Sequence, residues 1–279
     1  MNTPIRRQPP TIWQPTEGGP AFEDVKLSRS VKGKVVLVTG AASGMGRATA
    51  RVFADEGAYV AVTDLKLEDA QRVVDGIVES GGKAKAYALD VGKAQTVANV
   101  VREIGDSMGG LDIVINNAGI SRRISIDSPD FDESWELTVN ILLTAQQRVI
   151  RAALPYLRRS DAPRIVNIAS TEALGATAGN ASYAAAKAGV TGLTRSLAVE
   201  LGPEGITVNC ICPGPIDTAM VLRVPVADKQ KYARRRTALH RYGLAVEVAH
   251  MTLSLCLPAA SFLTGVTIPV DGGLMARNG

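Results

Sequence analysis

The sequence contains no apolar run approaching the roughly 20 residues that a membrane-crossing helix needs, so no membrane span is expected. Its first 20 residues carry Arg6, Arg7 and five prolines but no apolar centre, which argues against a signal peptide and for a cytoplasmic protein. Cysteine is scarce: Cys210, Cys212 and Cys256 make no even disulfide framework, and the first two lie in an apolar strand pattern without histidine neighbours. They read as buried thiols in a reducing compartment, and no metal site is expected. Histidine is scarcer still, with only His240 and His250, both far downstream, which leaves a Ser-His-Asp hydrolase without a base. A net charge of only +4 argues against a general nucleic-acid partner. No internal repeat or low-complexity tract occurs.

What is present is 46% hydrophobic residues and 27 glycines spread through the chain, as suits an α/β fold with many tight strand-to-helix turns. Residues 1–30 have no sustained periodicity and read as an extended arm; residues 31–279 read as one domain. Strands are expected at 34–39, 59–64, 85–90, 112–116, 164–168, 206–211 and 267–270, with helices in the gaps, among them 45–56, 68–80 and a long one over 132–158. Seven strands alternating with helices imply a doubly wound sandwich of the Rossmann type around a seven-stranded parallel sheet.

Two local patterns carry chemistry. Thr39-Gly40-Ala41-Ala42-Ser43-Gly44-Met45-Gly46 joins the first strand to the first helix, where backbone amides and a helix N-terminus can receive a pyrophosphate. Asp64 closes the second strand, where a carboxylate can accept both hydroxyls of an adenosine ribose and repel a 2′-phosphate. Lys66 is the one nearby cation. Tyr183 and Lys187, four apart in a helical stretch, share one helix face. A tyrosine of pKa about 10 must fall by roughly 2 to 3 units to work near neutrality, at about 1.4 kcal/mol per unit. An ammonium about 4 Å away at an effective dielectric of about 20 supplies roughly 4 kcal/mol, so Lys187 is expected to depress the phenol.

With Asn116-Asn117-Ala118-Gly119, Asn140 and Ile-Ala-Ser ending at Ser170, these patterns resemble the short-chain dehydrogenase/reductase family, in order and register over residues 31–275. The bacterial 3-oxoacyl-carrier-protein reductases are similar overall. The resemblance implies a catalytic set of Asn140, Ser170, Tyr183 and Lys187. Tyr183 would be the acid-base group, Ser170 the donor to a carbonyl oxygen, Lys187 the holder of the nicotinamide ribose, and Asn140 the support of a relay water. It implies a cofactor site of Gly40, Ser43, Gly44, Met45, Gly46, Asp64 and Leu65, with Asp90 and Val91 at the adenine. Asn117, Ala118 and Gly119, together with Pro213, Gly214, Ile216 and Thr218, would continue that site to the nicotinamide. Ser43 stands where relatives that prefer NADP often carry a cation, so NAD is the expected cofactor. A homotetramer is implied, with Val270-Asp271-Gly272-Gly273 near a subunit contact.

The expected activity is hydride transfer between NAD and a small secondary alcohol or ketone. Reduction of a β-ketoacyl thioester is an alternative, but Glu204 stands where the carrier-protein reductases have a basic docking residue. An inactive dinucleotide sensor is a second, against which the intact Asn-Ser-Tyr-Lys set counts. From Leu222 to Arg241 seven basic residues face one acid, Asp228, so this stretch holds +6 and the remainder −2. It reads either as a solvated helix face or as a lid that draws in an anionic substrate.

Overall fold

The computed structural model describes residues 26–277. Most of the expected arm, residues 1–25, lies outside the described residues. Its last five, 26–30, are exposed coil, and the core begins at Val31, 1% exposed.

From there the chain alternates strand and helix. It runs β1 (Val35–Thr39), α1 (Gly44–Asp55), β2 (Tyr59–Asp64), α2 (Leu67–Glu79), β3 (Lys83–Ala88), α3 (Ala94–Ser107) and β4 (Ile113–Asn116). Next come α4 (Phe131–Val139), a π turn (Asn140–Thr144), α5 (Ala145–Leu157), β5 (Arg164–Ile168), α6 (Ala181–Leu201) and β6 (Thr207–Pro213). The last part holds β7 (Ile216–Asp217), α7 (Val226–Arg236), β8 (Gly243–Leu244), α8 (Ala245–Cys256) and β9 (Thr267–Val270).

The sheet order is β3-β2-β1-β4-β5-β6-β9, all parallel. The chain therefore winds outward from β1 to one edge, returns to β4, and winds to the other. The seven-stranded parallel Rossmann-type sandwich is the architecture found. β1, β2, β4 and β5 read as largely apolar runs because alternate residues enter different cores. Val36, Val38, Val60 and Val62 pack on α1, α2 and α8, whereas Val35, Leu37, Val114 and Ile165 pack on α3, α5 and α6.

Several elements differ from expectation. β3 starts two residues early, at Lys83, because as an edge strand it pairs all six of its residues with β2 and its Lys-Ala-Lys-Ala-Tyr-Ala sequence has little apolar contrast. β6 runs on to Pro213, where a missing N–H is harmless at the strand end. The two-residue strands β7 and β8, paired in a separate parallel ribbon, are too short to leave a periodic signal. The long helix is interrupted at Asn140 by the π turn, a wider loop often found at functional positions.

Helices α3 and α5 touch where Gly105 faces the Tyr156 ring. A Cβ at 105 would stand 2.3 Å from the ring. The ring cannot yield, because its hydroxyl donates to Asp106 Oδ1 at 2.8 Å and Arg102 O at 3.2 Å. Gly105→Ala, which should favour an isolated helix by up to about 1 kcal/mol, is expected to destabilise the protein by about 1–3 kcal/mol through overpacking. Urea unfolding of the variant, with a lowered midpoint and unchanged slope, checks this.

Candidate active site

The glycine loop sits at the carboxyl edge of β1, where the sheet order reverses and ligands of doubly wound folds bind. Gly40 and Gly44 have φ of +62° and +53°, a left-handed region that side chains disfavour. Gly46 needs its missing side chain for another reason: a Cβ there would lie 2.2 Å from Gly40 O and 2.5 Å from Asn117 Nδ2. Asn117 ties this crossing together. Its side chain donates to Thr39 O at 2.9 Å and Gly40 O at 3.0 Å, while the amides of Asn117 and Ala118 both donate to Thr39 Oγ1 at 3.0 Å. The neighbouring Asn116 is buried and bonds Asn167, which bonds Thr194.

The N-terminus of α1 has no side-chain cap and no acidic residue in its first turn. Its amides therefore face the cleft without a protein anion on them, the chemistry a pyrophosphate fits. Asp64 accepts the Ala42 amide at 2.9 Å and its neighbour Leu65's amide at 2.8 Å, which fixes its carboxylate under the loop. Leu65 itself is exposed.

Sequence reasoning missed three arginines here. Arg47, Arg51 and Arg72 line, with Ser43 and Asp64, a cleft of about 400 Å³. Arg47 and Arg51 are four apart, a spacing that was legible, whereas Arg72 arrives from α2 and is paired with Asp69. Lys66 does not line this cleft.

The second half of the site is carried by α6. Tyr183 and Lys187 lie one turn apart, with the Lys187 Nζ 5.7 Å from the Tyr183 ring centroid. The ammonium is buried, 3% exposed, and donates to Ile168 O at 2.7 Å. Desolvation pushes Lys187 down to about 8, with Cys210 and Cys212 acting weakly in the other direction. Burial pushes the Tyr183 phenol up; Ser170 favours its ionised form, and Glu172 and Cys212 oppose it. The expected depression of the phenol by Lys187 is therefore not found in the ligand-free protein, because the ammonium is turned to a strand-end carbonyl and burial dominates.

Ser170 lies two residues past β5, capping a 3-10 turn at Thr171–Ala173, and its Oγ accepts the Glu172 amide at 3.1 Å. Asn140 opens the π turn. Its side chain donates to Gly92 O at 3.2 Å and accepts from Arg148 at 2.7 Å, so that side chain is committed away from the cleft. Arg148, half-buried and also bonded to Gly92 O at 2.9 Å, is a neighbour that spacing did not reveal. Cys210, Cys212 and Cys256 are buried free thiols.

A cleft of about 200 Å³ joins the two halves: Gly40, Ser43, Gly44, Met45, Asn117, Gly119, Tyr183, Lys187 and Thr218 line it, together with Ile120, Leu142, Ile168, Ala169, Ala219 and Met220. Ser43 lines this cleft and the one at Asp64, so the two adjoin at that residue, beside the α1 N-terminus. The two adjoining clefts, with the α1 amides between them and a carboxylate in one, suit the pyrophosphate and ribose of a dinucleotide. Asp90 sits off it, its Oδ1 accepting the Gly92 amide and its Oδ2 meeting Lys93. Val91 and Ala118 border a small gap beneath the loop. Pro213, Gly214 and Ile216 do not line the cleft; Gly214 abuts Asp271, and Ile216 belongs to the core.

The lowered Lys187 gives a signed prediction. Its folded value of about 8 lies below the unfolded 10.5, so the unfolded chain holds more protons between those pH values and stability rises with pH there. Ligand-free wild type should gain about 3 kcal/mol relative to Lys187→Met between pH 8 and 10.5, and nothing below pH 8. Denaturant titration of both proteins across that window measures it.

The family model described as enoyl-(acyl carrier protein) reductase matches residues 40–275. The chain is 36% identical over 245 residues to a 3-oxoacyl-[acyl-carrier-protein] reductase of Thermotoga maritima, covering 88% of this chain and 99% of the relative. It is 37% identical over 243 residues to a (2S)-[(R)-hydroxy(phenyl)methyl]succinyl-CoA dehydrogenase subunit of Thauera aromatica, covering 87% and 97%. A putative short-chain alcohol dehydrogenase from Sinorhizobium meliloti superposes with a TM-score of 0.84 at 32% identity, over 89% of this chain and 99% of that one. A buried parallel-sheet switch point, a glycine loop feeding a helix N-terminus and a Tyr-Lys pair across one cleft thus belong to a member of the short-chain dehydrogenase/reductase family, an oxidoreductase acting between alcohols and ketones.

Proposed function

We propose that this enzyme uses NAD and that Tyr183 moves the proton of a secondary alcohol or ketone bound over Ser170. The observation that carries the reading is a pair of adjoining clefts: Tyr183, Lys187 and the glycine loop line one, Asp64 lines the other, and Ser43 lines both. When bound, the nicotinamide supplies the hydride acceptor. In reduction the Tyr183 phenol, the form that burial favours, gives its proton to the substrate oxygen; in oxidation the phenolate takes the alcohol proton, a form that the Lys187 charge must support once the cofactor is bound. The Ser170 hydroxyl donates to the substrate oxygen, stabilising charge as it develops. The Lys187 ammonium, which has one carbonyl partner, has further N–H groups to offer the ribose hydroxyls. Asn140 acts in the relay through its main chain, because its side chain is spent on Gly92 and Arg148; its carbonyl, which accepts the Ala145 amide, keeps a second lone pair for a water.

NAD is preferred because the Asp64 carboxylate, held by two backbone amides, meets the ribose. Arg47 and Arg51 lie in the same cleft, so removing that carboxylate should leave a cationic surface for a 2′-phosphate. Asp64→Ala is expected to lower kcat/KM with NAD by about tenfold or more, on the scale of a lost charge-assisted hydrogen bond, and to raise it with NADP. A wild-type enzyme that already favours NADP would overturn the assignment.

The substrate is a small molecule, and an anionic one is favoured. Met220 lines the cleft and α7 follows it in the chain; Lys231, Arg234 and Arg235 of that helix are exposed, whereas Lys229 is paired with Asp217. A thioester of coenzyme A is the second reading, favoured by the same charge. A carrier protein is disfavoured, since Glu204 meets Arg158 through two hydrogen bonds where a basic docking residue would be needed. The working enzyme is a cytoplasmic homotetramer, and the catalytic domain starts at Val31.

Tyr183→Phe keeps the ring and removes the titrating group. Its kcat should fall by at least about 10²-fold, the range for lost acid-base catalysis, with NAD binding intact. NADH absorbance over a panel of secondary alcohols, polyols, hydroxysteroids, hydroxy acids and acyl-CoA thioesters, run on both proteins, tests this. Turnover equal to wild type would refute the assigned base.

A further inference from the structure

The segment between Ser170 and Tyr183 is closed by one side chain that the proposed reaction does not use. Glu172 is half-buried on the 3-10 turn after Ser170. Its carboxylate accepts the Thr177 amide at 2.9 Å and the Thr177 hydroxyl at 2.6 Å, with the Asn180 side-chain amide at 3.5 Å, the outer limit of such a bond. Asn180 is the residue from which α6 starts; its carbonyl accepts the Ala184 amide at 2.8 Å, and Tyr183 follows three residues later. At the other end, the Glu172 amide donates to Ser170 Oγ. One residue therefore touches both flanks of the site. Its backbone turns the serine hydroxyl, and its side chain ties down the chain that enters the helix bearing the tyrosine.

The need for such a tie is plain from exposure. Residues 174–179 are all exposed and belong to no regular element, so nothing in a core holds them. Among the described residues, the far side of the segment is held by two bonds, from the Ile124 amide to Gly179 O at 2.9 Å and from the Arg123 guanidinium to Ala178 O at 3.0 Å. Charge-assisted bonds from a carboxylate to a backbone amide and a hydroxyl are the stronger kind, suited to offsetting the entropy of an exposed loop.

We propose that Glu172 is a positioning residue whose carboxylate clamps the 171–180 segment, so that Ser170 and Tyr183 meet the substrate oxygen in one fixed geometry. The proposal rests on Tyr183 and Ser170 acting as described above. The titratable groups that face Tyr183 are Lys187 on its own helix, Glu172 on the turn and Cys212 on β6. The Glu172 charge opposes ionisation of the phenol, so the clamp also leaves a spectroscopic mark.

The test uses the full chain loaded with NAD, as wild type, Glu172→Ala, Glu172→Gln and Thr177→Val. Amide hydrogen exchange at Thr177 should accelerate about tenfold or more in the alanine variant, as expected for a lost bond to a charged group. The glutamine variant should keep most of the protection, because its amide oxygen still accepts. Phenolate absorbance, taken against Tyr183→Phe, should titrate at lower pH in both Glu172 variants. With the fastest substrate of the panel, kcat/KM should fall about tenfold in the alanine variant and by less than about threefold in the glutamine one. If the alanine variant does not fold, Thr177→Val carries the test, with a smaller change in the same direction. Unchanged Thr177 protection, or lost protection with unchanged kcat/KM, overturns the clamp. Exchange and titration are read without turnover, so a wrong base assignment, seen as full activity of Tyr183→Phe, remains a separate outcome.

Discussion

A buried ammonium whose nearest protein partner is a carbonyl oxygen constrains much of this structure. Lys187 sits beneath the cleft with its charge on Ile168 O, and among the described residues no carboxylate pairs with it. Keeping a charge there costs stability at neutral pH, which a purely structural residue would avoid by being apolar. The arrangement makes sense if the lysine's remaining donors serve a ligand. It also fixes the chain around it: β5 must end at Ile168 so that its carbonyl is available, and α6 must pass close enough to β5 and β6 for the side chain to reach.

The parallel sheet supplies the rest by geometry. Reversal of winding between β1 and β4 leaves an opening at their carboxyl edge, and the bonds from Asn117 to Thr39 and Gly40 hold that opening to one shape. Gly46 packs against the same carbonyl that Asn117 binds, which is why the loop and the fourth strand act as one unit. Tyr183 and Lys187 line the same cleft as the loop. The two halves of the site come from distant parts of the sequence yet rest on adjacent strands, so their spacing depends on strand pairing and little on loop conformation.

How much of this was legible follows from the kind of signal each part leaves. β1, β2, β4 and β5 are buried on both faces and read directly as apolar runs, whereas edge strand β3 was displaced by two residues and the ribbon of β7 and β8 left no pattern. The Tyr183–Lys187 spacing, the glycine loop and Asp64 are local motifs and could be read from order alone. The direction in which Lys187 points could not, because the Ile168 carbonyl is brought to it only by tertiary packing. The same is true of the π turn at Asn140, of Arg148 reaching back to Gly92, and of Arg72 joining Arg47 and Arg51 across two helices. Each depends on contacts between residues that no periodicity links.

The most direct test of the account is the protonation of Lys187 itself. In the ligand-free protein carrying lysine labelled with carbon-13 at the ε position, one resonance, absent from Lys187→Met, should titrate with a midpoint of about 8. A midpoint near the ordinary 10.5 would contradict the buried, carbonyl-held ammonium on which the description of the site rests.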